Sequence, residues 1–481
     1  MFTPDINSIS NTINANPHYM VEPFTPPLPL LLCLVAAAGA VIASFIVLIF
    51  FYKNTQAYSS YPKFDLMKLS FFGYIDRANI KFIIQLFSVF LFIIVVLSGF
   101  IGSSDPVYNI APTFVWVIWW VGLAYVSAFV GNLWSLINPW KIIFEWCEKV
   151  FSLFVRNGSV SVKLSYPSKL KVWPAVLLFV IFAWIENVYP GAIVPSKISL
   201  IILVYSIITW AGMLLFGKET WLRNGEVFTL VFGYLSRFAP IHGKAIKTTA
   251  GKTGASSKMK NHLFLRPPSS GLLDIKSVSI SETLLILLLL ATVTFDGFAG
   301  TKRWLDVQIY LEQYSNNITL INTGGLISTI VIFFVVYFAF AKLMKLTSGN
   351  LFSARHLATT FVHTLIPIAL AYHVAHFLMF LLIQGQTIIP LASDPFGFDW
   401  NIFNTTLYRV NFMFASPNFF WGTSIISILI GHIIAVFLSH SIAMRLFKSH
   451  SSAIRSQFPM LILMVGYTVA SLWIITQPMY A

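Results

Sequence analysis

Charge is what this sequence lacks most. Only 10% of its 481 residues are Asp, Glu, Lys or Arg, against the roughly 25% of an ordinary soluble domain, while 57% are hydrophobic. With a mean hydropathy of +0.78 the chain cannot be a soluble globule. Acid is scarcer than base, 17 residues against 31, for a net charge of +14. Cysteine is nearly missing: Cys33 and Cys147 fall in segments that would not meet, so a disulfide framework and a Cys-based metal site are both excluded. The first 27 residues contain no Lys or Arg, and a cleavable signal needs a positive start, so residues 1–27 read as an external tail ahead of a retained span.

The long apolar runs supply the fold class: an all-α, polytopic integral membrane helix bundle of about ten spans. They run 28–52, 82–102, 112–139, 172–189, 198–217, 281–300, 324–345, 355–384, 417–447 and 458–477. On this assignment the loops on one side hold all but four of the 31 basic residues, the four being Lys197, Lys302, Arg303 and Arg409. The positive-inside rule makes the rich side cytoplasmic and puts both termini outside. The aromatic residues, 16% of the chain, lie in the spans and are not interleaved with the basic loops. That is not the pattern of a nucleic-acid groove, so the partner is the lipid bilayer. Trp116, Trp119 and Trp120 fit an outer interfacial belt.

Three domain-scale features follow. Residues 28–217 carry spans one to five, with an amphipathic, surface-lying helix near 141–155. Residues 218–277 form the largest cytoplasmic loop, with ten Lys or Arg and a centre, GKAIKTTAGKTGASSKMKNH, poor in apolar residues. Its AGKTG is no phosphate loop, because the required first glycine is Ile246. Residues 278–481 carry spans six to ten. The external loop 387–416, with Asp394 and Asp399 in SDPFGFDW, is placed as a lid or as an Asp-Pro turn.

Five of the ten histidines, His363, His373, His376, His432 and His440, fall inside two consecutive spans. Ionisable groups within a membrane mark function by default. His373 and His376 share a helical face. Pro367 cannot donate to the carbonyl of residue 363, so a kink is expected beside His363. Antiparallel packing would bring His440 level with His363 and His432 towards His373. Three readings compete: hydrogen bonds that glue helices together, a metal or haem site, and a proton relay. As a metal site the five imidazoles would take a divalent zinc, copper or iron. Asp296 and Glu186, near the outer ends of their spans, are the candidate catalytic acids that would orient a histidine or take a proton. Glu282 and Asp296, fourteen apart, share a face of one helix.

The segments NIAPTFVWVIWWVG, NLWSLINPW, WIENVYP, LRPPSSGL, TVTFDGF, FVHTLIPIALAYHVAHF, SDPFGFDW and RSQFPMLILMVGYT together resemble a family of bacterial multi-span membrane proteins labelled fenitrothion hydrolase, over nearly the whole chain beyond residue 30. The resemblance implies a multi-pass protein of the bacterial inner membrane that hydrolyses an organophosphate triester. It also implies a hydrophobic small-molecule substrate and a second membrane subunit. The residues themselves leave two alternatives open: a proton- or metal-coupled transporter, and a metal- or haem-binding subunit for electron transfer.

Overall fold

A computed structural model describes residues 29–51, 61–69, 78–155, 160–247, 259–274, 277–414 and 416–477. The chain is an all-α polytopic membrane bundle, and among the described residues nine helices are long and apolar enough to cross a bilayer. They are α1 (Leu30–Phe51), α2 (Ala78–Ile101), α3 (Ile110–Phe129), α6 (Pro195–Phe216), α8 (Ile280–Ala299), α10 (Ile318–Thr347), α11 (Ala354–Ser393), α12 (Pro417–Leu446) and α13 (His450–Ile475). The expected external tail 1–27 lies outside the described residues.

The fourth expected span is the exception. It is α5 (Trp173–Asn187), only 15 residues long, about 22 Å of helix against about 30 Å of hydrocarbon. Its ends nevertheless lie at opposite ends of the bundle. The Val172 amide donates to Ser281 Oγ at the start of α8, whereas Trp184 Nε1 donates to Thr323 Oγ1 at the start of α10, the next helix of the reverse direction. Beyond Asn187, a short turn (Pro190–Ile193) completes the crossing, with the Ala192 carbonyl held by Trp116 Nε1.

Burial orders the helices. Two thirds (67%) of the most apolar stretch of α8 is inside the bundle, against 11% for α2, so α8 is the axis and α2 faces lipid. Small residues set the closest contacts. A methyl built on Gly431 of α12 would stand 2.3 Å from Ala371 Cβ and 2.7 Å from the Pro367 carbonyl oxygen of α11. One on Gly99 of α2 would meet Ser199 Oγ of α6 at 2.0 Å. In lipid, where apolar surface gains little by pairing, such close approach is what holds helices together.

Between α3 and α5 the chain does not run straight to Pro139. It turns at residues 130–133, and α4 (Pro139–Phe154) then lies as a separate amphipathic helix, its first turn capped by the Asn138 side chain on the Lys141 amide. Lys218 fixes it by pairing with Glu145 and Glu148 at 3.2 and 3.0 Å. The basic segment 218–277 is more ordered than its composition suggests. It begins with a helix, Lys218–Asn224, and with α7 (Val227–Leu235), whose first amides are capped by the fully buried Glu226. It continues as an antiparallel sheet in which β3 (Met259–Leu265) is flanked by β2 (Ile241–Lys247) and by the short β1 (Phe64–Asp65). Residues 248–258, with the whole of AGKTG, lie outside the described residues. His262 Nδ1, 2.8 Å from Asp65 Oδ2, holds that carboxyl below the usual carboxylate range and ties β1 to β3.

The tryptophan trio also differs from expectation. Trp116 and Trp120 are buried in the bundle at 5% and 7% exposure, not spread along an interface. Both lie in a π-helical stretch, Thr113–Gly122, of α3. Four residues apart, they share one face of the helix, and that face is turned into the bundle.

Candidate functional site

The histidine-rich helix α11 is broken where Pro367 removes a donor. Residues Val362–Leu365 tighten into a 3-10 turn in which the Ile366 amide takes up the His363 carbonyl, and the α-helix resumes at Ile366–Ile383. The resumed helix presents Tyr372, His373, His376 and Phe377 to α3 and α8. Asp296 stands one turn before the end of α8, and Glu186 is the penultimate residue of α5.

These residues meet. His376 Nε2 lies 2.8 Å from Asp296 Oδ2, with the two side chains 5% and 2% exposed. Trp120 Nε1 donates to Glu186 Oε1 at 2.7 Å, and both are buried. Between the pairs is a cavity of ≈ 30 Å³, walled by Trp120, Phe179, Glu186, Thr292, Asp296 and His373. A space of that size holds a water molecule or two. His373 Nε2 is buried without a hydrogen bond, and its ring lies among Trp120, Tyr125 and Phe377 at 6.3, 5.6 and 4.7 Å between centroids. The Tyr372 ring stacks parallel to His376 at 6.2 Å. Its buried hydroxyl has no hydrogen-bond partner among the described residues and projects over Gly297, where an added methyl would stand 2.5 Å away. Two carboxyls, two imidazoles and a phenol are thus gathered within the apolar interior. Little water is present to screen them, so a change of charge on one is felt by the rest.

The other three candidate ligands are elsewhere. His363 is buried under Tyr234 of α7, 6.4 Å between ring centroids, and neither ring nitrogen has a well-formed hydrogen bond. His432 turns Nδ1 back to the Ile428 carbonyl of its own helix at 2.8 Å, which leaves Nε2 buried and unpartnered. His440 Nδ1 lies 3.0 Å from Gln457 Oε1 of α13, a bond between helices. Among the described residues no group of three or more His, Cys, Asp and Glu side chains comes close enough to share a metal ion. The five histidines therefore do not form one ligand set for zinc, copper, iron or haem.

Two further predicted features are held in local hydrogen bonds. Glu282, which shares a helical face with Asp296, closes a capping box with Ser279 at the start of α8 and accepts from Tyr234 Oη at 3.1 Å. In the loop holding SDPFGFDW, Asp394 Oδ1 accepts from the Phe398 amide, and the carbonyls of Pro395 and Phe396 accept from Ile110 and Ser103, which pins the loop over the start of α3.

Composition missed Trp120 and Tyr372. The usable signal for Trp120 was its place four residues after Trp116, which puts both indoles on one helical face without saying whether that face meets lipid or the bundle. For Tyr372 the signal was its position one residue from His373 and four from His376. Comparison of the chain with family models, with curated proteins and with solved structures yields no match, so what the site can do rests on its own geometry.

Proposed function

We propose that this membrane protein handles protons inside the bilayer, with Asp296, His376, His373 and Glu186 as the exchange site, and that it couples their protonation to passage of an ion or small solute. One observation carries the reading: Asp296, 2.8 Å from His376, lines the same water-sized cavity as a second carboxyl, Glu186, and a second imidazole, His373. Buried acids and imidazoles in relay are how pumps and transporters move protons through a medium that offers no other carrier. Entry from the basic end is provided by Glu282, by Tyr234 bonded to it, and by His363 beneath Tyr234. His363 and His373 are ten residues apart, about 15 Å of helix, so water must complete the path.

The triester hydrolysis implied by the resemblance is a second reading, and the same pair favours it: a histidine oriented by a carboxylate is the arrangement of a general base. It requires room for an ester beside His376, and ≈ 30 Å³ is room for water.

The test needs no known substrate. Infrared difference spectra of the purified chain, taken across a pH step, should show a buried carboxylic C=O band that weakens in Asp296→Asn and again in Glu186→Gln. Proton flux into vesicles holding the chain should fall about 100-fold in His376→Gln, the scale of a lost acid–base group. No carboxyl band changing between pH 5 and 9 would sink the proton reading. Turnover of an apolar aryl phosphotriester that is lost in His376→Gln but kept in Glu186→Gln would support the hydrolase instead.

A further inference from the structure

At the basic end of the bundle lies a second and much larger cavity, ≈ 840 Å³, lined by none of Asp296, His376, His373 and Glu186. We propose that it binds a phosphate-bearing anion of the size of a lipid headgroup. The volume is that of a ligand pocket rather than of a gap between side chains. Four permanent cations line it, Lys171, Arg237, Arg266 and Arg355, against two acids, Asp274 and Glu282, so four less two leaves an excess of two positive charges.

Both acids are already engaged. Glu282 accepts from the Ser279 amide and hydroxyl, each at 2.8 Å, and from Tyr234. Asp274 accepts from Tyr61 and lies 4.0 Å from Lys63.

The cations divide into framework and ligands. Arg266 is framework: it is 6% exposed, gives its guanidinium to the carbonyls of Ala239, Ser236 and Arg237, and lies flat on Gly271, where a methyl would stand 2.3 Å from Cζ. Arg237 crosses the Tyr234 ring at 5.0 Å and turns its half-buried head to the cavity. Lys171, before α5, and Arg355, in the first turn of α11, have no side-chain hydrogen bond or ion pair among the described residues. Three separate segments therefore aim unsatisfied or partly satisfied donors into one space.

A merely positive bundle end attracts anionic lipid diffusely. Convergence on a walled cavity adds a fixed geometry, and a guanidinium meets phosphate oxygens two at a time. The cavity opens beside the ends of α5, α8 and α11, where a headgroup would lie, and equally where a soluble phosphate could enter.

The test uses the chain purified in a neutral detergent, with its thermal midpoint followed against short-chain phosphatidylglycerol, inorganic phosphate, and, as controls, short-chain phosphatidylcholine and sodium chloride. The midpoint should rise with at least one of the two anions at concentrations where both controls are silent. A response to phosphatidylglycerol alone identifies a lipid headgroup, and a response to inorganic phosphate as well identifies the free anion. The double variant Lys171→Gln/Arg355→Gln should need at least tenfold more of the same probe, and Arg355→Lys should recover part of the loss. Both changed side chains are exposed, so the variants should keep the parent midpoint without ligand. The proposal falls if neither anion exceeds its control, or if the double variant responds like the parent. Asp296→Asn should respond like the parent whichever way the proton reading is decided.

Discussion

A buried imidazole has only two nitrogens, and what each one touches separates a working histidine from a structural one. His440 spends Nδ1 on Gln457 and binds α12 to α13; His376 spends Nε2 on a carboxyl that shares a cavity with other titratable groups. His440→Ala is therefore expected to lower stability by about 1–2 kcal/mol, the worth of a buried bond between helices, with the infrared carboxyl band and proton flux per folded molecule unchanged. His376→Gln should show the reverse, a lost flux with yield and melting temperature within the spread of the parent. A common loss of fold and flux in both variants would reduce all the histidines to packing. The concentration of His residues in two spans was legible in the sequence, as was Asp296 as an isolated acid near a span end. Their pairing was not. Helical periodicity states which residues share a face, and nothing in it states which helix that face meets. Trp120 escaped for a related reason, since an indole near a span end fits an interfacial belt equally well until the helix that its face meets is known.

Helix pairs of this bundle are set by steric notches, and α11 with α12 shows how tightly. Ser424 Oγ donates to the Ala375 carbonyl at 2.9 Å, and seven residues on Gly431 lies against Pro367 and Ala371. The Pro367 carbonyl faces Gly431 because the 3-10 turn before it redirects the chain, so the kink and the notch work together. Gly431→Ala puts a carbon 2.3 Å from another carbon and forces the helices apart. The expected loss is about 1–3 kcal/mol, as for an overpacked core, read as a lower melting temperature in detergent. Gly466→Ala, where an added methyl meets nothing within 4 Å, is the control and should change little. The kink beside His363 was readable from Pro367, because a missing N–H is a local fact. The short α5 was readable only as an apolar run. That it completes a crossing depends on Pro190–Ile193 and on indoles of other helices, which are not local facts. The sheet in the basic segment was missed because neither IHGKAIK nor MKNHLFL alternates polar and apolar residues, so the period-two signal of a strand is absent.

For the whole molecule the charge distribution and the fold make one statement. The end that carries α4, the three-stranded sheet and the starts of α5, α8 and α11 holds the lysines and arginines, and the opposite end holds few. By the positive-inside rule the proposed anion cavity would face the cytoplasm, with Asp296 and Glu186 towards the opposite, outer ends of their helices. This orientation decides the direction of the proposed proton path, because Glu282 would then be its inner mouth. The two native cysteines make it easy to test: with Cys33→Ser and Cys147→Ser the chain offers no thiol. Into that background Ser168→Cys goes on the basic side before α5, and Asn316→Cys goes on the opposite side between α9 (Lys302–Glu312) and α10, both at exposed positions. A membrane-impermeant maleimide added to intact cells with a permeable outer envelope should label the thiol at 316 at once. The thiol at 168 should react only after the membrane is opened. Labelling of 168 in intact cells, with 316 protected, would invert the molecule, turn the anion cavity outwards and reverse the proton path. Labelling of both before lysis would mean that α5 does not complete its crossing in the bilayer, since its 15 helical residues are the least of any segment asked to span it.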